Sequence, residues 1–259
     1  MPNGYQELKG VLHWQYALYP QMQLADAIKL IYQSEFAGGH MITDEQASLR
    51  RLQEEWALVA ARGGGQQLPI FEILSDGLWR LNLAPLIERG ISPRTVNRLF
   101  VLSANEHVGK RENFEGKLAA FRQWCVDGLF PWAGPELDAY LLEYKAQGYP
   151  ALSHSDTYRS AYAPAYRVIS SKFVPYFELL VRIDRLTAQH QQVNVAIEGH
   201  SAAGKTFLAR QLARIYDCNV IAMDHFFLPP SLRTEARLAE PGGNVHYERF
   251  ISEVLDGLQ

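Results

Sequence analysis

The chain has 259 residues, room for one large domain or two smaller ones with a sizeable core, and its formal charge of -3 gives no reason to expect a nucleic-acid or anionic-membrane partner. Hydrophobic residues make up 47% of it, yet no apolar run approaches the ~20 residues of a membrane span, and the N-terminus is not signal-like. Only Cys125 and Cys218 are present, which excludes a disulfide framework and a thiolate metal site, so a reduced, soluble, cytoplasmic protein is expected.

Residues 1–190 read as a mainly α-helical domain. Leu24, Ile28, Ile31 and Tyr32 form one stripe at helical spacing. Thr43-x-x-Gln46 resembles a capping box opening a helix with Leu49, Leu52, Trp56 and Val59, which Gly63-Gly64-Gly65 ends. Ile70–Leu74 and Leu78–Leu83, parted by Ser75-Asp76-Gly77, suggest a small hairpin. Ser92-Pro93 starts another helix, with proline at its first position. Phe114, Leu118, Phe121 and Cys125 share a face, as do Leu137, Tyr140, Leu141 and Tyr144, with Gly148 as a stop. The spacing of Ile169, Phe173, Phe177 and Leu180 predicts a last helix from Pro164 to Leu186, kinked at Pro175.

Three polar clusters in this half are candidates for chemistry. Glu35 and His40 flank a Gly-Gly turn and could act as an acid–base or ligand pair; the alternative is a glycine helix cap with a histidine at the negative helix end. Ser153-His154-Ser155-Asp156 places serine, histidine and aspartate side by side, but triad members meet from distant segments, so a serine N-cap is the expected role. Ser103-Ala-Asn-Glu-His107 reads as a solvated helix end. Cys125 lies on an apolar stripe and reads as core.

The polar stretch Thr187–Gln192 separates this half from residues 191–259. There Val193, Val195 and Ile197 read as a buried strand, and Leu208, Leu212 and Ile215 as a helix stripe starting at Lys205. Between them Gly199-His200-Ser201-Ala202-Ala203-Gly204-Lys205-Thr206 fits the Walker A phosphate-loop pattern. The glycines let backbone N–H groups approach phosphate oxygens, and the following helix adds unsatisfied N–H groups at its positive end. Lys205 can reach β- and γ-phosphates, and the Thr206 hydroxyl can ligate Mg²⁺. A second apolar run, Asn219–Met223, ends in Asp224. A carboxylate at such a strand end can take a proton from an attacking hydroxyl or hold a Mg²⁺-bound water; otherwise it caps a loop.

The phosphate loop followed by Met223-Asp224-His225-Phe226-Phe227-Leu228-Pro229 resembles the uridine kinase and phosphoribulokinase group of P-loop kinases. The stretch from Arg233 through Arg237 to Pro241-Gly-Gly-Asn244-Val-His246 is similar to their arginine-rich segment and Pro-Gly-Gly-Asn turn. Residues 1–190 resemble an N-terminal extension on some bacterial members. The likeness implies an α/β fold with a parallel sheet, ATP and Mg²⁺ as cofactors, Asp224 as general base, and substrate contacts from Asp224, Phe226, Arg233, Arg237 and His246. For the arginines, a solvated basic stretch is the alternative. His225 and His246 depart from the acidic residues of the family, which bears on the acceptor. The expected function is transfer of the γ-phosphoryl of ATP to a hydroxyl of a nucleoside or sugar-like metabolite; the alternative is a non-catalytic nucleotide-binding or regulatory protein. Only two strands of the sheet are legible, so a truncated kinase domain is expected, its open edge covered by a second copy or a further polypeptide.

Overall fold

The amphipathic stripes of the first half fold as helices packed on a small sheet. The computed structural model of the chain describes residues 3–39, 41–63, 68–132 and 134–258. It divides into two compact units, Met1–Val195 and Ala196–Gln259.

In the N-terminal unit α1 (Asn3–Leu18), α2 (Leu24–Phe36) and α3 (Glu45–Arg62) precede a hairpin of β1 (Phe71–Ser75) and β2 (Leu78–Asn82). Then come α4 (Pro93–Glu106), α5 (Arg111–Val126), α6 (Pro135–Ala146) and α7 (Asp156–Tyr162), β3 (Tyr166–Ser170) and α8 (Phe177–Thr187). The α3 cap falls one residue later than the sequence suggests: Asp44, not Thr43, accepts from Ala47 N at 2.8 Å. Gly63 closes that helix with φ 72°, whereas Gly64 and Gly65 lie outside the described residues. Ser92 and Ser155 cap α4 and α7. Ile28, Ile31, Phe114, Leu118, Phe121, Cys125, Leu137 and Tyr144 are all buried in one core.

The sheet is antiparallel, in the order β1-β2-β3. Opposed residues share a face, so Glu72, Arg80 and Val168 lie together, and Ile73, Trp79 and Ile169 lie on the other side. The first face packs toward α1 and α2, whose Gln15 and Gln33 reach Arg80. On the second, Phe71 meets Phe177 of α8 edge-on at 4.9 Å.

The helix expected from Pro164 to Leu186 does not form as one piece. Tyr166–Ser170 pairs with β2, Ser171–Tyr176 is a 3₁₀ turn containing Pro175, and only Phe177–Thr187 is α-helical. The four-residue spacing of Ile169, Phe173 and Phe177 imitates a helix stripe; a ready partner strand and the proline override it.

The C-terminal unit contains α9 (Lys205–Tyr216), α10 (Glu235–Leu238) and α11 (Tyr247–Phe250), the last running on into further helical turns to Leu258. Its small core includes Leu212, Ile215, Phe226 and Leu228. The parallel α/β sheet expected here is not present. Among the described residues, no backbone hydrogen bond joins 193–198 or 218–221 to another segment. Val195, Val220 and Ile221 are 43%, 50% and 48% exposed. A β-branched run becomes a central strand only where neighbours take its N–H and C=O groups and cover its faces, and among the described residues no backbone takes them here.

Candidate functional site

The phosphate-loop sequence folds as a tight curl at the start of α9. Gly199 has φ 149°, Ala202 φ 61° and Gly204 φ 83°, so three of its residues occupy positive-φ backbone. Ala202 does so with a side chain, a conformation that costs about 1 kcal/mol or more outside glycine. Ala203 N donates to His200 O at 3.2 Å, and Leu208 N to Gly204 O at 3.0 Å, which closes the first helical turn. Gly199 through Gly204 are exposed, with His200, Ser201 and Ala203 among them. Lys205 folds back over the curl: its Nζ donates to Gly199 O at 2.7 Å and His200 O at 2.8 Å. The ammonium thus sits on two carbonyls of the loop that precedes it. Thr206 is exposed, and its hydroxyl makes no hydrogen bond among the described residues.

Asp224 lies in the short 3₁₀ turn Met223–Phe226, exposed and without a hydrogen bond or ion pair among the described residues. Among the described residues no hydrogen bond or ion pair joins it to Lys205 or Thr206. The residues carried over as substrate contacts are held within the unit instead. Phe226 is buried, edge-on to Phe250 at 5.1 Å and beneath the Arg249 guanidinium at 4.8 Å. Arg233 Nε donates to Leu228 O at 2.8 Å. Arg237 lies 3.7 Å above the Tyr247 ring and pairs with Glu248 at 2.9 Å. The His246 Nδ1 caps α11 by accepting from Arg249 N at 3.3 Å.

The Pro241-Gly-Gly-Asn244 turn has a geometric reason. A Cβ on Gly243 would stand 1.8 Å from Arg237 O, so only glycine lets the turn close on that carbonyl. The return strand then pairs with the segment after Asp224: His246 N donates to Phe226 O at 2.6 Å and Leu228 N to Asn244 O at 2.9 Å.

In the N-terminal unit Glu35 is buried, not a free acid. Its carboxylate pairs with Lys117 at 2.9 Å and accepts from Lys110 N at 2.8 Å, while His107 Nε2 meets the Glu35 carbonyl at 2.7 Å. His40, its expected partner, lies outside the described residues. Cys125 is buried, and burial pushes its thiol up to about 11, the behaviour of a core residue.

A second polar centre escaped the sequence reading. Asp26 of α2, fully buried, faces His154: Oδ1 stands 2.8 Å from Nδ1, and His154 Nε2 stands 2.6 Å from the Tyr166 hydroxyl. Ser155 adds its N–H at 2.9 Å and its hydroxyl at 2.7 Å to the Asp26 carboxylate. Burial raises the Asp26 pKa, but the hydrogen bonds from His154, Ser155 and Gln23 outweigh it and hold the carboxyl below its usual range. Burial lowers His154 to about 4 against the pull of Asp26, so the ring is neutral near pH 7. The Nδ1–H then points at Asp26, and Nε2 accepts from Tyr166. Beyond Tyr166, Arg80 stacks on its ring at 4.5 Å and reaches Gln15, Gln33 and, at 3.9 Å, Glu72. Two signals for this centre lay in the sequence. Glu72 and Arg80 interrupt apolar strands at opposed positions of the hairpin, and Asp26 and Gln33 share a helix face seven residues apart.

No protein-family model, curated protein or solved structure matches the chain. Among the described residues, no helix is long and apolar enough to cross a membrane, and no group of three His, Cys, Asp or Glu side chains could hold a metal ion.

Proposed function

We propose that residues 199–206 bind the phosphates of ATP and that the chain is a small-molecule kinase, transferring the γ-phosphoryl group to a hydroxyl of a nucleoside or sugar-like metabolite. The observation that carries this reading is the curl itself. Positive-φ backbone at Gly199, Ala202 and Gly204, a lysine bent over the loop, and a 12-residue helix starting at Lys205 combine loop N–H groups, a cation and a helix N-terminus.

In this reading phosphate oxygens displace the Gly199 and His200 carbonyls from Lys205. The loop N–H groups hold the β-phosphate and the ammonium offsets charge at the γ-phosphate. Thr206 is an oxygen donor suited to Mg²⁺ and Asp224 could hold a Mg²⁺-bound water; both are exposed, and neither side chain makes a hydrogen bond among the described residues. When bound, Mg²⁺ would neutralise charge on the β- and γ-oxygens. The acceptor hydroxyl attacks phosphorus, the bond to the β-phosphate oxygen breaks, ADP leaves, and Asp224 takes the hydroxyl proton.

A second reading, a nucleotide-binding or regulatory protein without catalysis, draws on a different observation. Arg237, His246 and Phe226 serve internal packing, and among the described residues no hydrogen bond or ion pair joins Asp224 to Lys205. The experiment is calorimetric titration with ATP and Mg²⁺, followed by ADP release with a panel of nucleosides and sugars. Saturable binding lost on Lys205→Ala, with acceptor-dependent turnover, supports the kinase. Binding without turnover favours the second reading, and equal affinity in Lys205→Ala and the parent chain overturns both.

A further inference from the structure

The outer side of α1 carries polar side chains with nothing to bind. Gln6, Lys9 and His13 recur at helical spacing, so they share one face of the helix. Among the described residues none of these three side chains makes a hydrogen bond or ion pair. Lys9 is half-buried all the same. Other lysines of the N-terminal unit are committed: Lys29 donates to Leu152 O at 2.6 Å, Lys117 pairs with Glu35 at 2.9 Å and Lys145 with Glu115 at 3.4 Å. Gly10 stands beside the three without a conformational reason. Its backbone is helical, its φ is not positive, and a Cβ there would meet nothing within 4 Å. Alanine would serve the helix better. What glycine does is keep the space next to Lys9 and His13 open.

That space is a groove of ≈ 320 Å³ between α1 and the turn after α5, inside the range of small-molecule sites, ~300–1,000 Å³. Leu129 and Phe130 form its other wall. Phe130 is buried and held in place, stacked on Trp132 at 6.1 Å and 5.7 Å from Phe121. Leu129 is 40% exposed and offers the groove its free apolar surface. Among the described residues no carboxylate lines the groove. Glu7, the one acid of α1, is not among its walls, and Asp127 of the turn accepts from Gln123 Nε2 at 2.8 Å.

We propose that this groove binds a small monocarboxylate carried on a compact apolar body, such as phenylacetate. An ammonium without a counter-charge, beside an imidazole and an amide that are free to donate, calls for an anionic acceptor. The two oxygens of a carboxylate suit these donors, and a charged acceptor makes the stronger bonds. Lys9 brings one fixed positive charge, so one negative charge balances it and a phosphate dianion exceeds it. The apolar body lies over Gly10 and against Leu129, where its burial adds to the affinity. This site belongs to the N-terminal unit and stands whether or not the loop 199–206 binds ATP.

The test is titration of the full chain with phenylacetate, followed by ¹H–¹³C NMR at the Leu129 methyl resonances. A saturable shift is expected, with the neutral 2-phenylethanol and the cationic phenethylamine binding about tenfold or more weakly. Gly10→Leu fills the groove with a good helix former and is expected to abolish the shift with an unchanged far-UV spectrum. Lys9→Gln should weaken binding about tenfold, and it decides if Gly10→Leu does not fold. Lys205→Ala is expected to leave the shift in place. No saturable shift up to the solubility limit, an equal shift in folded Gly10→Leu, undiminished affinity in Lys9→Gln, or 2-phenylethanol or phenyl phosphate binding as tightly as phenylacetate would overturn the proposal.

Discussion

Single residues in the C-terminal unit divide into those committed to structure and those left available. Arg237, His246 and Phe226 have partners inside the unit, whereas the side chains of Asp224 and Thr206 are exposed without a hydrogen-bond or ion-pair partner among the described residues. The resemblance ranked Phe226, Arg237 and His246 as site residues, the phosphate-loop pattern Thr206, and its place after an apolar run Asp224, because a motif reports residue type and not what the side chain touches. The kinase proposal therefore rests its proton transfer on Asp224. Asp224→Asn keeps the size and removes the base, so the acceptor-dependent rate should fall ~10²–10⁴-fold while ATP affinity by calorimetry changes little in comparison. A variant keeping more than about half the parent rate would return Asp224 to a loop role.

At the scale of elements, close backbone approach decides how α2 is anchored. The loop between α4 and α5 runs against the C-terminal end of α2, where a Cβ on Gly109 would lie 2.2 Å from Glu35 O and 2.5 Å from Phe36 Cδ1. The same loop supplies His107 and Lys110 to Glu35. Gly109→Ala must push the loop away and loosen these bonds, so a loss of about 1–3 kcal/mol is expected in urea unfolding. Gly128→Ala is a useful comparison, because a Cβ there meets nothing within 4 Å and its cost would come from its positive φ of 77° alone. A Gly109→Ala chain as stable as the parent would show that the loop has slack.

For the whole molecule, the Asp26–His154–Tyr166 chain links the acid stability of the N-terminal unit to one ring. His154 is held neutral by burial, with Arg80 and Lys29 adding to the effect and Asp26 opposing it, so its pKa falls from 6.5 to about 4 in the folded chain. Between those values the unfolded chain binds the proton and the folded chain does not, so stability falls as pH drops through this window. The shift corresponds to about 3 kcal/mol. Asp26, held below its usual range, acts in the same direction at still lower pH: its contribution is lost as pH falls through its folded value. Unfolding free energies measured across pH 4–6.5 should show this slope, and His154→Gln should flatten it. A slope unchanged in His154→Gln would place the acid sensitivity elsewhere.

The sequence by itself determined the helices beginning near Leu24, Glu45, Pro93, Arg111 and Pro135, the hairpin, the caps at Ser92 and Ser155 and the helix after Gly204. Each depends on residues within a few positions: apolar spacing, a capping hydroxyl, or a glycine free to take positive φ. Tertiary structure decided what depends on distant partners. Val193–Glu198 and Asn219–Met223 have the composition of strands, yet a strand exists only when another backbone takes its hydrogen bonds. Tyr166–Ser170 found that partner in Leu78–Asn82, against its own helix-like spacing. The polar centre around Arg80 follows the same rule: Asp26, Glu72, Arg80 and His154 come from separate parts of the chain. A charge in an apolar run shows its role only once the fold brings its counter-charge and hydrogen-bond partners to it.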